Sequence, residues 1–166
     1  MTATDFEQLL AQRRRSGADR FDEVWEGVYV VAPDPDSNHG DLQGELAPLL
    51  KVAARRLGLR RAGTFNLGAP DDFRIPDAGL LPGPHGVWHD TAVLVVEVLS
   101  PDDRTFDKLD FYTAHGVQEL LVVDGQLRTV RCFALQDGQR ERDRSEVLEM
   151  TTAEVVAAID WPCLDD

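Results

Sequence analysis

The sequence contains few cysteines, few lysines and no long apolar run, and each of these features argues against particular classes of protein or site. Only two of its 166 residues are cysteines, Cys132 and Cys163, and they form no CxxC pair. We therefore expect a reduced, cytoplasmic protein without a cysteine-based zinc site. No run of about 18 apolar residues occurs, so no membrane span is expected. The first residues carry no basic patch followed by an apolar stretch, which argues against a secretory signal.

Lysine is equally scarce. Of the 17 basic residues only two are lysines, Lys51 and Lys108, and 30 acidic residues give a net charge of −13. Such acidity argues against a broad electrostatic affinity for nucleic acid, although a local basic groove remains compatible with it. Arginine keeps its proton under all ordinary conditions whereas lysine can lose it, so each lysine is a candidate for chemistry.

The remaining composition is that of an ordinary globular chain, with 43% hydrophobic and 7% aromatic residues. We expect a single domain over residues 1–166. Apolar periodicity predicts helices at about 4–15, 105–115 and 151–158, and a long helix whose stripe runs from Leu42 to Leu57. Alternating or apolar runs predict strands at 21–25, 28–31, 60–67, 74–81, 91–99, 118–124 and 127–135. This order predicts an α/β (α+β) fold, with a central mixed sheet flanked by helices.

Two acidic residues stand where acidic residues are unexpected. Glu97 interrupts the most apolar run of the chain, and a buried carboxylate is costly unless it is paired or binds a metal. Asp77 follows Pro76 in the preceding predicted strand, so the two carboxylates can converge on one cation. Hard oxygen ligands of this kind suit Mg²⁺ or Mn²⁺. The structural alternatives are a salt-bridged Glu97 and a simple strand-edge turn at Asp77.

A Pro-Asp pair followed about twenty residues later by an acidic residue in an apolar strand resembles the PD-(D/E)XK nuclease superfamily. More narrowly, the chain resembles the Uma-two family of restriction endonucleases, small bacterial proteins of this length. The resemblance extends over about residues 20–135 and rests on five segments: RFDEVWEGVYV at 20–30, His39, IPD at 75–77, LVVEVLSP at 94–101, and YTAHGVQEL with VVD at 112–124.

The resemblance implies a restriction-endonuclease-like core in which Asp77 and Glu97 bind Mg²⁺ or Mn²⁺. It also implies hydrolysis of phosphodiester bonds in DNA, with a lysine that orients or deprotonates the water and neutralises the developing charge. The lysine that the superfamily carries two residues after the glutamate is Leu99 here. Lys108, four residues before Tyr112, matches the position that Uma-two sequences use instead. We therefore expect Lys108 to lie beside Glu97, with Asp77, Glu97 and Lys108 as the catalytic residues.

The same resemblance suggests two further residues that assist the catalytic residues. Glu26, in the predicted Glu26-Gly27 hairpin turn, could approach the metal, and His39 could contact a phosphate; the alternatives are a solvated turn residue and a helix cap. A homodimer acting on DNA is also suggested by the resemblance. The competing hypotheses are a catalytically impaired nuclease fold that serves as a binding or regulatory module, and a purely structural α/β domain.

Overall fold

The structure, a computed structural model, describes residues 3–32, 37–100 and 104–162. Residues 33–36, Pro101 of the family motif and Cys163 lie outside these ranges. The α-helices within them are α1 Ala3–Ser16, α2 Ser37–Leu57, α3 Leu109–Ala114 and α4 Thr152–Ala158. The strands are β1 Glu23–Trp25, β2 Val28–Val30, β3 Arg60–Ala62, β4 Asn66–Ala69, β5 Asp72–Arg74, β6 Ala78–Leu81, β7 Trp88–His89, β8 Leu94–Val98, β9 Glu119–Asp124, β10 Thr129–Ala134, β11 Arg140–Arg142, β12 Arg144–Ser145 and β13 Met150–Thr151.

The larger sheet has six strands in the order β11-β10-β9-β8-β6-β3. Strands β8 and β9 pair in parallel, and their crossover contains a 3₁₀ turn at Thr105–Lys108 and helix α3. The other neighbours in this sheet are antiparallel. The mixed sheet and its helices confirm the predicted fold class.

The two faces of the larger sheet bury separate clusters of side chains. Helix α2 places Leu42, Leu46 and Leu50, one turn apart, against one face together with alternate β8 residues such as Val96. On the opposite face, Phe111 and Tyr112 of α3 pack with Val95. Because side chains alternate along a strand, Glu97 shares the α3 face with Val95. The Glu97 carboxylate is therefore enclosed on the side of the sheet that α3 covers.

The smaller sheet has five strands in the order β2-β1-β5-β4-β7. Its hairpin turns through Glu26 and Gly27, whose φ angles of 50° and 80° are both positive, as a type I′ turn requires. Asp22, which is almost fully buried, ties this hairpin to α1. Its carboxylate accepts hydrogen bonds from the Arg13 guanidinium at 2.6–2.7 Å and from the backbone N–H of Ala32 at 2.9 Å.

The predicted strands 60–67 and 74–81 are each wrong as single elements. The first divides into β3 and β4, and the second into β5 and β6, so that each segment passes from one sheet to the other. Pro76 explains the second break, because proline has no N–H to continue the ladder. Residues 63–65 make the matching passage in the first segment. The space between these two passages becomes the cavity described below.

Smaller differences concern helix ends. The predicted helix 105–115 is a 3₁₀ turn followed by the short α3, and Thr4 lies within α1, which extends over Ala3–Ser16. Helix α4 begins after a capping box formed by Thr151 and Glu154. Cys132 is buried and unpaired. Of the helices within the described ranges, none combines the length and apolarity needed to cross a bilayer.

Candidate active site

A cavity of about 480 Å³ lies where the chain passes between the two sheets. The sheet-to-sheet passages contribute Gly63, Thr64, Ile75 and Asp77, and the remaining walls come from β1, β2, α2, β8 and the 3₁₀ turn. The full lining is Phe21, Glu23, Val30, Val31, Ala32, His39, Gln43, Gly63, Thr64, Ile75, Asp77, Glu97, Val98, Ser100, Arg104 and Lys108. One cavity therefore holds Asp77, Glu97, Lys108 and His39, four of the five site residues that the sequence predicted.

Asp77 is held in place from two elements. Its Oδ2 accepts a hydrogen bond of 2.7 Å from the backbone N–H of Val98, and its own N–H donates to the carbonyl of Val96 at 3.1 Å. From α2, His39 and Gln43 donate to Oδ1 at 2.8 and 3.1 Å. These contacts fix the carboxylate beside the end of β8, because its rotation would break bonds to both the sheet and the helix.

Glu97 is buried in the centre of the site. Its Oε1 accepts hydrogen bonds from the hydroxyl of Tyr112 and, at 3.1 Å, from the ammonium of Lys108. Burial raises the pKa of Glu97 to about 8, and the positive charge of Lys108 offsets this only in part. Burial and the adjacent Glu97 also hold the pKa of the Tyr112 phenol well above its usual value, so the phenol remains a donor.

Lys108 lies in the 3₁₀ turn that begins the β8–β9 crossover. Its Nζ is 3.1 Å from Oε1 of Glu97 and 3.0 Å from Oε1 of Glu23, and its side chain is only 12% exposed. Burial by itself would lower the pKa of this ammonium, but the two carboxylates outweigh burial and raise it above its usual range. Lys108 therefore stays protonated at neutral pH and serves as a cation in the cavity.

Glu23 is the acidic residue of the site that sequence reasoning missed. Its Oε1 accepts from Lys108 and, at 2.7 Å, from the backbone N–H of Ile75, while its Oε2 accepts from the Trp25 indole at 2.6 Å. Glu26, the predicted accessory, is exposed in the hairpin turn and is not part of the cavity lining. An acidic residue within the apolar strand Glu23-Val24-Trp25 is the same anomaly that identified Glu97.

The carboxylate oxygens fit a hard divalent cation. Within the described residues, every hydrogen bond to Glu97 ends on Oε1, and Oδ2 of Asp77 accepts one bond, so lone pairs remain on one oxygen of each. Mg²⁺ is commonly held by one or two carboxylates, with water and phosphate completing its shell. Over residues 3–32, 37–100 and 104–162 no cluster of three or more His, Cys, Asp or Glu side chains forms a ready metal site.

Most arginines near the site are committed to the protein itself. Arg13 pairs with Asp22, Arg56 bonds to Glu149 and the carbonyl of Val147, and Arg60 bonds to the loop after β6. Of the arginines in the described part of the chain, Arg104 alone lines the cavity, with its guanidinium 4.3 Å from the ring centre of Trp25. Arg13, Arg56 and Arg60 are therefore not among the residues that line the cavity.

A mixed sheet with a helical crossover, beside which two carboxylates and a lysine share one cavity, is the arrangement that the resemblance to restriction-endonuclease-like α/β proteins implies. A family model agrees: Uma2, described as "Putative restriction endonuclease", matches residues 3–161. The chain belongs to this family, which confirms the resemblance seen in the sequence motifs.

A solved structure supports the fold assignment independently. The crystal structure of a protein from Anabaena variabilis, titled as a "putative nuclease belonging to DUF820", is similar to this chain with a TM-score of 0.68 and 16% sequence identity. The match covers 83% of this chain and 90% of the other. Among curated proteins no match is found.

Proposed function

We propose that the protein is a metal-dependent endonuclease that hydrolyses phosphodiester bonds in DNA. Membership of the Uma2 family supports a nuclease. The observation that carries the proposal is the ammonium of Lys108 at 3.1 Å from Glu97, inside the cavity that also holds Asp77. A lysine from the crossover thus stands in for the one that Leu99 replaces.

Asp77 and Glu97 are the residues that would hold Mg²⁺ or Mn²⁺. When bound, such an ion supplies positive charge to the scissile phosphate and acidifies a water molecule. The protein's own contribution is to hold the two carboxylates in fixed positions, through Val98 and His39 for Asp77 and through Tyr112 for Glu97. Because ligands of this kind are already in position, the site does not have to reorganise during the reaction.

Lys108 acts as a donor and cation rather than as a proton acceptor. Its pKa is raised by Glu97 and Glu23, so it reaches the phosphate or the attacking water already charged. In hydrolysis the water oxygen bonds to phosphorus, the bond to the leaving sugar oxygen breaks, and that oxygen gains a proton. Negative charge grows on the non-bridging oxygens meanwhile, and a buried ammonium stabilises it.

The net charge of −13 favours a second candidate, a nuclease fold that binds or regulates without turnover. Such a charge opposes the approach of a polyanion. This candidate makes a different prediction from the first. It keeps the fold and the cavity but gives no cleavage product with any divalent ion.

Incubation with plasmid and single-stranded DNA separates the two candidates. Samples contain Mg²⁺, Mn²⁺ or a chelator, and Asp77→Asn serves as the inactive control, since the amide keeps the size of the side chain. We expect cleavage with either ion, loss of cleavage with chelator, and a fall of at least about 100-fold in the variant. Cleavage that persists in Asp77→Asn at the wild-type rate contradicts the proposal, because it would come from a contaminant or another site.

A further inference from the structure

The reacting groups of the site are recessed rather than presented on a surface. The side chains of Glu23, Glu97 and Lys108 are 7%, 5% and 12% exposed, and that of Asp77 is 15% exposed. The phosphates of an intact duplex lie on a stiff cylinder, whose bending over a short length is costly. A recessed site is therefore more easily reached by a flexible strand than by a paired one.

Part of the lining of the same cavity is apolar. Its apolar side chains include Phe21, Val30, Ile75 and Val31, of which Val31 is 49% exposed, and these four residues are called the apolar wall below. The volume of about 480 Å³ falls in the range of cavities that enclose small organic ligands. A phosphate needs no apolar surface, whereas an unpaired base has an apolar face that can stack on the Phe21 ring and pack against the neighbouring aliphatic side chains.

The net charge of the protein also favours a single strand over a duplex. A chain with a net charge of −13 repels a polyanion, and duplex DNA carries about twice the charge per unit length of a single strand. Among the described lining residues, the lysine and arginine cations are Lys108, which pairs with Glu23 and Glu97, and Arg104, which pairs with Asp107 and is 57% exposed. Two cations that already have acidic partners offer little compensation for the higher charge density of a duplex.

We propose that the substrate is unpaired DNA, with the base next to the scissile phosphate bound against the apolar wall formed by Phe21, Val30, Val31 and Ile75. This inference rests on the proposed nuclease function and adds its substrate class. It assigns recognition to the face of a base rather than to a sequence, because stacking tolerates every base.

The test compares one labelled oligonucleotide in three forms: single-stranded, fully paired, and paired with a short unpaired loop. Initial rates are measured in Mg²⁺, and binding is measured separately by fluorescence anisotropy in chelator, where no hydrolysis occurs. We expect the single strand to be bound and cut at least about tenfold better than the duplex, and the third substrate to be cut only in its loop. Equal or better binding and cutting of the perfect duplex would overturn the inference.

The binding measurement keeps the two proposals distinguishable. If no form is cut but the single strand is bound tightly and preferentially, the nuclease function fails while the preference for unpaired DNA stands. If the chelated protein binds neither form, or the duplex better, the preference itself fails. Cleavage of all three forms at equal rates retains the nuclease and removes the preference.

Base removal and a matched pair of variants test the apolar wall. A single strand with abasic positions should be bound about 5- to 100-fold more weakly than the normal strand, the range for one lost stacking contact. Val31→Asp should weaken binding of the normal strand by at least about tenfold, while Val28→Asp, at an exposed position of the same hairpin outside the lining, should change it less than about twofold. Equal affinity for normal and abasic strands would remove the base from the proposal.

Discussion

Nζ of Lys108 lies 3.1 Å from Oε1 of Glu97, across a separation of eleven residues. The contact joins the end of a central strand to the crossover that follows it, and it places an ammonium beside Glu97 although position 99 carries a leucine. The side chain therefore approaches from a different backbone origin but arrives at the same carboxylate. The predictions below test what this arrangement does.

The first prediction distinguishes the acid that the sequence suggested from the one that the structure places in the cavity. Glu23→Gln removes a charge that contacts Lys108, so cleavage should fall at least about tenfold and the pKa of the ammonium should drop. Glu26→Gln, three residues later and exposed, should leave the rate within about twofold. Initial rates of both variants on one substrate check this. A larger loss in Glu26→Gln than in Glu23→Gln would contradict the assignment.

The second prediction concerns the pH dependence of stability. Glu97 has its pKa raised from 4.5 to about 8, so between these values the folded chain holds a proton that the unfolded chain has lost. The free energy of unfolding of the metal-free protein should therefore fall as pH rises through this window, by more than about 1 kcal/mol. Urea titrations from pH ~5 to ~9 measure it. Glu97→Gln should abolish the fall, and it should also remove stabilisation by Mg²⁺.

A structural carboxylate provides the contrast for that variant. Glu119 is buried too, but its oxygens accept from the Ser145 hydroxyl at 2.5 Å and from the backbone N–H of Glu146 at 2.8 Å. Glu119→Gln should therefore destabilise the protein by about 1–3 kcal/mol, because an amide cannot satisfy all these donors. Glu97→Gln should leave the metal-free protein as stable or more stable. A large loss in Glu97→Gln would instead make Glu97 a structural ion-pair residue.

The third prediction concerns the attachment of α1. Burial would raise the pKa of Asp22, but hydrogen bonds from Arg13 and Tyr29 outweigh it and lower the pKa below 3.8. The stabilisation is therefore present above the unfolded pKa and is lost as pH falls through the lower folded one. Asp22→Asn should cost about 1–3 kcal/mol at neutral pH, and the difference from wild type should shrink in acid below pH ~3.

The exposed Glu7 of α1 provides the control for this variant. Glu7→Gln should change the free energy of unfolding by less than about 0.5 kcal/mol at every pH. Chemical denaturation of the three proteins, followed by circular dichroism, makes the comparison. An Asp22→Asn difference that grows towards low pH would have the wrong sign for a carboxyl group with a lowered pKa.

Sequence patterns predict the residues of the site that can be recognised from the segment in which they lie. Asp77 and Glu97 were recognisable because an acidic residue in an apolar strand is costly, and the alternation along β8 places Glu97 on the α3 face. Lys108 needed the family motif, since its contact depends on a 3₁₀ turn where periodicity predicts a regular helix. The apolar stripe from Leu42 to Leu50 likewise predicts the long helix α2, because helical periodicity is visible within a single segment.

The rest depends on how the sheets are arranged in space. Strands 60–67 and 74–81 read as single apolar elements, and only tertiary packing decides that each one divides between two sheets. The cavity lies at these divisions, so its apolar wall could not be predicted from the sequence. The sequence alone does not identify Glu23 as a site residue, because its contact with Lys108 spans 85 residues and depends on the tertiary fold.

The central claim is that Lys108 supplies the charge that the missing strand lysine would have given. The most direct measurement is the rate of DNA cleavage in Mg²⁺ by Lys108→Met beside Lys51→Met, which changes the only other lysine, at an exposed position of α2. We predict a loss of about 100- to 10,000-fold in Lys108→Met with an unchanged fold, and less than about a twofold change in Lys51→Met. Wild-type cleavage by a folded Lys108→Met protein would contradict the account.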